Sequence, residues 1–243
     1  MKPFSSARRS GGILLITATI LASALAGCAA EPAPKPSPSQ SSSPSSTPKP
    51  SATPTETPAA WTRFSDQRFT ASFELPPGWK LEEQKTPYAD QGIFQLNVLD
   101  AAGKRQLIFL NGVTGLGGAC SADSVPMQVE ELDRQDVSLT GYAPATEPAV
   151  ALTAPQFVYR AWSTGDGAVA ATVALVNTPP VKTCFDVNLL RTADRLYVLS
   201  DGMQVGTHED LRPRTFATMD EAKAFMQTPE YAALKRIITS FQL

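Results

Sequence analysis

The chain holds one histidine, His208, and only three cysteines in 243 residues. A single imidazole excludes metal centres built on two or three histidines, and three thiols cannot complete a four-thiolate zinc or iron–sulfur site. Charge is also scarce, with 21 Lys and Arg against 23 Asp and Glu and a formal net charge of −2. Without a basic surplus there is no broad phosphate-neutralising surface, so nucleic acid is not an expected partner. No Gly-x-Ser-x-Gly elbow occurs, and no glycine loop ends in the Lys-Ser/Thr pair of a phosphate-binding loop. An EF-hand run of spaced oxygens is missing too, and neither metal nor cofactor is expected.

The N-terminus carries Lys2, Arg8 and Arg9 and no acid, then an apolar run over residues 13–21 and small residues up to Cys28. That run is short for a membrane span, and the order is that of a secretory signal. Ser10-Gly11-Gly12 after Arg8-Arg9 lacks the bulky residues of a twin-arginine signal, which leaves the general secretory route. Leu25-Ala26-Gly27-Cys28 resembles the lipobox of bacterial lipoproteins. The resemblance implies a signal peptide of residues 1–27, cleavage before Cys28, and acylation of that cysteine with a diacylglyceryl group and a fatty acid such as palmitate. The protein is then expected on the outer face of the cytoplasmic membrane of a Gram-positive cell. The competing reading is an uncleaved N-terminal helix that ends in a chance cysteine. Loss of residues 1–27 leaves 18 basic groups against 23 acidic ones, a charge of −5. An acidic body has no electrostatic reason to lie flat on an anionic membrane, so the lipid alone is expected to hold it.

Residues 31–60 contain nine Pro, eight Ser and four Thr and no aromatic. Such a stretch buries too little apolar area to offset its ordering entropy, so residues 28–60 are expected to be a disordered tether. At ~3.1 Å per residue its upper reach is roughly 100 Å, and coil statistics give nearer 30 Å. Its Ser/Thr-Pro content also suits O-linked sugars.

Composition changes at Trp61, and residues 61–243 are enough for one globular domain. Phe69, Ala71, Phe73 and Leu75 alternate with polar residues and run into Pro76-Pro77-Gly78, a strand closed by a turn. Residues 94–98 and 106–110 flank a turn at residues 100–104, and residues 156–164 and 168–178 flank Gly165-Asp166-Gly167. Both read as hairpins, and further strands suit residues 127–132, 185–191 and 196–200. At the C-terminus the period changes. Thr218 with Glu221 forms a capping box that opens a helix over residues 219–227, and Thr228-Pro229 starts a second. Tyr231, Leu234, Ile237, Ile238 and Phe241 then make one apolar stripe, which needs a sheet to cover. The expected fold is α+β, a curved and mainly antiparallel sheet with C-terminal helices packed on one face.

With Cys28 acylated, Cys120 and Cys184 remain in an oxidising compartment, where an even number argues for a disulfide. Closing that loop is worth about 4 kcal/mol on chain-entropy grounds. The alternative makes Cys120 a nucleophile with His208 as its base. The run Gly112-Val113-Thr114-Gly115-Leu116-Gly117-Gly118 misses dinucleotide and phosphate-loop spacing and reads as a loop that delivers Cys120 to its partner. His208 sits in Thr207-His208-Glu209-Asp210, a solvated loop by composition. The acid pairs Glu82-Glu83 and Glu130-Glu131 point to opposite strand faces and read as solvated. Trp79 reads as a core-edge anchor. Trp162 shares a face with Val158 and Arg160, opposite Phe157, Tyr159 and Ala161. Two apolar-leaning faces imply either a sheet covered on both sides or a groove for an apolar ligand.

The segment Arg68-Phe69-Thr70-Ala71-Ser72-Phe73-Glu74-Leu75-Pro76-Pro77-Gly78-Trp79, with Ile237-Ile238-Thr239-Ser240-Phe241, resembles the opening strand and closing helix of PsbP-like domains. Together with Gly117-Gly118-Ala119-Cys120 and Cys184, the chain resembles a family of secreted actinobacterial lipoproteins with such a domain. The resemblance implies the fold, and it carries over no metal site, photosystem contact or catalytic residue. The expected function is a non-catalytic binding module for an envelope protein, a cell-wall polymer or an apolar ligand. An extracellular hydrolase using His208 and a lipid or glycolipid carrier are the alternatives.

Overall fold

In Phe69–Leu75 (β2), Ala71, Phe73 and Leu75 turn inward while Thr70 and Glu74 stay toward solvent. Its antiparallel partner is Thr62–Asp66 (β1), and the two form a ribbon separate from the main sheet. The computed structural model describes residues 60–243 except 114, 119, 122 and 147–149. The signal segment, Cys28 and all but the last residue of the tether lie outside the described residues.

Gly78 (φ +80°) turns the chain into Lys80–Gln84 (β3), which pairs with Gln95–Leu99 (β4). Arg105–Leu110 (β5) closes the first expected hairpin on β4. Val129–Asp136 (β6), Gln156–Ser163 (β7) and Val169–Val176 (β8) build the other half of the sheet, with β7 and β8 as the second expected hairpin. Phe185–Val187 (β9) and Leu190–Arg191 (β10) are short, and Leu196–Ser200 (β11) joins the two halves. Gln204–Gly206 (β12) pairs with β9, and Arg214–Phe216 (β13) pairs with β8. The nine-stranded antiparallel sheet runs β3-β4-β5-β11-β8-β7-β6, with β10 on β11 and β13 on β8.

The two edge strands, β3 and β6, carry Lys80, Glu82 and Glu83, and Glu130, Glu131, Asp133 and Arg134. Charge of this density opposes pairing with another chain at either edge. Two strands differ from expectation. The segment 185–191 breaks into β9 and β10 because Asn188 turns its amide into the sheet, donating to Thr172 Oγ1 and the Gly202 carbonyl, both at 2.8 Å. The strand expected at 127–132 starts only at Val129, since the Met127 N–H is taken by the Thr183 carbonyl at 2.9 Å.

Met219–Phe225 (α1) and Pro229–Thr239 (α2) lie on one face of the sheet. Thr218 Oγ1 accepts the Glu221 N–H at 3.1 Å, while the Glu221 carboxylate reaches past the cap to the Ala217 N–H. Thr228 caps α2 in the same way through Tyr231, with Pro229 in the first turn. The stripe Tyr231, Leu234, Ile237, Ile238 and Phe241 is buried in full, at about 1.5–3 kcal/mol for each side chain. The β1–β2 ribbon extends this layer, and Phe73 and Phe241 both meet Phe109, with ring centroids 5.5 and 6.3 Å away. The opposite face is covered as well. Ile108, Leu189 and Val198 pack together there, and Met127, Trp162, Ala170 and Val205 form a second cluster. The sheet is therefore covered on both sides, which explains why β7 is apolar on both of its faces.

Candidate functional site

Alternation along β7 puts Phe157, Tyr159 and Ala161 under the helices and Val158, Arg160 and Trp162 on the second face. Trp162 Nε1 donates to the Gly206 carbonyl at 3.1 Å. Arg160, with a side chain only 3% exposed, lies beneath this cover and is fully occupied. Its Nε donates to Glu131 Oε2 at 3.2 Å, Nη1 to Asp186 Oδ2 at 3.4 Å, and Nη2 to the Thr178 carbonyl at 2.9 Å. A guanidinium this deep is tolerated only because carboxylates flank it. Burial pushes the Asp186 carboxyl above its ordinary range, against the pull of the Val187 N–H and of Arg160 and Arg191.

Beside this cluster, where the chain leaves β8, a cavity of about 420 Å³ opens between the β6–β7 connection and residues 178–187. Its walls are largely apolar, from Val150, Pro179, Val181, Phe185 and Val187, and Asp186 and Arg191 supply its charged groups. An apolar hollow with a few convergent polar groups, within the ~300–1,000 Å³ span of small-ligand sites, is the arrangement that ligand pockets share. Phe185 is set from behind by the glycine loop. At Gly118 (φ +105°) a Cβ would stand 3.4 Å from the Phe185 ring. Gln204 donates a hydrogen bond to the Gly117 carbonyl, and Cys120 is joined to Cys184 with Cα atoms 5.7 Å apart.

A second cavity, about 400 Å³, lies between β5, β13 and the helices. Its walls are more polar and are stitched together by hydrogen bonds. Arg214 Nε donates to Asp201 Oδ2 at 2.9 Å, Nη1 to Glu230 Oε1 at 2.6 Å, and Nη2 to Gln106 Oε1 at 3.2 Å. Burial pushes the Asp201 carboxyl upward, against the pull of Arg214, the Thr172 hydroxyl and the Val173 N–H. This cluster joins β13 and α2 to the sheet.

The residues singled out in the sequence fall differently. The expected Cys120–Cys184 disulfide is formed, so Cys120 holds no free thiol for His208 to activate. His208 is exposed ahead of the short turn Glu209–Leu211, and its ring makes no hydrogen bond or ion pair among the described residues. The solvated reading of the acid pairs needs correction at Glu131 alone, since Glu83 is exposed. Glu131 is drawn inward by Arg160, and Glu83 forms a two-pronged pair with Arg68 at 2.9 Å. Glu82 and Glu130 stay at the surface, Glu130 paired with Lys223. Trp79 packs part-buried against the main core. Among the described residues no group of three or more His, Cys, Asp or Glu is placed to hold a metal ion, and no helix is long and apolar enough to cross a membrane.

Sequence reasoning missed Asp186, Asp201, Arg191 and Arg214. The available signal was a charge inside or beside an apolar strand, as with Arg160 between Tyr159 and Ala161, or Asp201 directly after β11. No family model, curated protein or solved structure matches this chain.

Proposed function

We propose that residues 61–243 form a non-catalytic binding domain that takes up an apolar small molecule at the cavity between the β6–β7 connection and residues 178–187. The domain is held at the outer face of the cytoplasmic membrane through diacylglyceryl-Cys28. The single observation that carries the binding step is the cavity itself, about 420 Å³ of mainly apolar wall beside a buried Arg160–Asp186 pair. Supporting the location are the signal order and the lipobox-like Leu25-Ala26-Gly27-Cys28. The PsbP-like layout and kinship with secreted actinobacterial lipoproteins belong to this reading and rest on the short motifs at both ends of the domain. His208, exposed and with no partner for its ring among the described residues, gives a hydrolase no support.

Two measurements test the proposal. Mass spectrometry of organic extracts from the purified full chain should show an apolar molecule that is depleted in Val181→Trp, which fills the cavity. Equal recovery from both proteins would refute binding at this place. Metabolic labelling with an alkynyl fatty acid should mark the wild type and not Cys28→Ser; labelling of both would remove the anchor.

A further inference from the structure

We infer that the Cys120–Cys184 disulfide is a thiol-sensitive latch that sets the shape of the apolar cavity, an inference that rests on the binding reading above. Cys184 stands between Thr183 and Phe185, and both of these line the cavity. Its backbone N–H donates to Cys120 Sγ at 3.1 Å, and its carbonyl accepts the Thr207 N–H at 3.2 Å. The bond therefore joins the cavity wall to the glycine loop at the point where Gly118 passes beside the Phe185 ring. On the other flank Phe185 pairs with Gly206, where a Cβ would meet the Cys184 carbonyl at 3.0 Å and Phe185 Cβ at 3.3 Å. Phe185 is thus flanked on two sides, by the glycine loop at its ring and by Gly206 at its backbone and Cβ, and only the loop side depends on a reversible covalent bond.

The loop has little else to keep it in place. Between the end of β5 and Met127 its described residues form no strand or helix; among the described residues the disulfide and, at the loop's far end, the Met127 N–H on the Thr183 carbonyl tie it to the cavity wall, and Gln204 of β12 donates to the Gly117 carbonyl. Segments with so few bonds open at low free-energy cost once a crosslink is gone. The sheet beneath does not depend on the link, because β7 and β8 pair along their whole length and lie buried.

The crosslink is also reachable from one side. Cys120 is exposed whereas Cys184 is only 5% exposed, so a thiolate approaches at Cys120. The reductant is a dithiol. One of its thiolates bonds to Cys120 Sγ as the Cys120–Cys184 bond breaks, and the electron pair leaves on Cys184 Sγ, which takes up a proton. The second thiol then closes the reductant's own disulfide and releases Cys120 as a thiol. The protein gains two electrons and two protons, and the dithiol loses the same. With the loop released, Phe185 no longer holds its place in the wall, and affinity for an apolar ligand falls.

Photolabelling of the full chain in detergent micelles with a diazirine-bearing decanol, followed by peptide mapping, tests this. In the oxidised protein, label should concentrate in residues 178–187. After dithiothreitol it should fall at least fivefold there, while hydrogen exchange rises in residues 112–126 and stays slow in β7 and β8. Cys120→Ser/Cys184→Ser should reproduce the reduced pattern without any reductant. Labelling of residues 178–187 that is unchanged on reduction overturns the latch and leaves the binding reading standing. Fast exchange throughout β7 and β8 on reduction also overturns it, since the bond would then be a staple of the whole fold. No label at residues 178–187 in either state defeats the binding reading, and the latch with it.

Discussion

Thr172 Oγ1 donates to Asp201 Oδ1 at 2.6 Å at the place where β8 passes from one neighbouring strand to another. Ala174 of β8 faces Ser200 of β11, whereas Val169, Ala170 and Ala171 face β13. Between these ladders the Val173 N–H has no strand partner on that side and donates instead to both Asp201 oxygens at 3.2 Å. The Asp201 N–H returns to the Val173 carbonyl, and Arg214 of β13 closes the split from the far side. A side chain here replaces a rung of backbone pairing, as a buried amide requires.

Thr172→Val keeps the shape of the side chain while removing both the bond to Asp201 and the acceptor used by Asn188. Two buried polar groups are left short of a partner, and the expected loss is about 1–3 kcal/mol. Urea unfolding checks this, with a lowered midpoint and an unchanged m-value expected.

Arg160→Met removes the cation from between Glu131 and Asp186. Because Asp186 stays buried and loses its hydrogen-bonded counter-charge, keeping only the pull of Arg191, a loss of about 3 kcal/mol is expected. The paired replacement Arg160→Met/Asp186→Leu should recover a large part of that loss, since the buried Asp186 carboxylate goes with its partner. A double-mutant cycle by chemical denaturation measures the coupling.

Asp133 accepts hydrogen bonds from Tyr231 Oη and Lys235 Nζ, both at 2.6 Å. Burial pushes its carboxyl up, but these two donors outweigh burial and hold it below the ordinary value. The unfolded chain therefore binds this proton more readily, so the contribution is fully present above about pH 4 and is lost as pH falls through the lowered folded value. Asp133→Asn should cost about 1–2 kcal/mol at pH 7, a figure reduced for its partial exposure. It should also flatten the decline in stability as pH falls below about 4, read from denaturation midpoints across an acid series.

Asn97 lies in β4 opposite Ile108, and its buried Oδ1 finds no hydrogen-bond partner among the described residues. Asn97→Val removes that orphan acceptor and adds a β-branched side chain to the sheet, with an expected gain of about 1 kcal/mol. A higher thermal midpoint than wild type confirms it, and a lower one shows that the amide is needed.

Periodicity made much of the fold legible. Both hairpins, β2 and the α2 stripe came from alternation or from 3.6-residue spacing, and these survive folding because each reflects a single element with one covered face. The helix starts were legible as well, since Thr218 and Thr228 cap through bonds only three residues away. The β1, β12 and β13 strands were not. Each is short, and β12 and β13 are strands only because β9 and β8 lie beside them. The sequence hinted at a groove beside β7, but none of the residues that line the cavity belongs to β7, whose second face is covered by segments distant along the chain.

What the sequence by itself determined is local or countable: where a face is apolar, where a helix can start, and that Cys120 and Cys184 are the two cysteines within residues 61–243. Tertiary structure alone decided that Arg160 meets Asp186, that Asp201 fills the gap beside β8, and that Phe185 stands between the glycine loop and an apolar hollow. The physical reason is that burial and ionic partnership depend on distance in space. Asp186 is 26 positions from Arg160 in the chain, yet only the path of β9 across the second face brings the two within hydrogen-bonding reach.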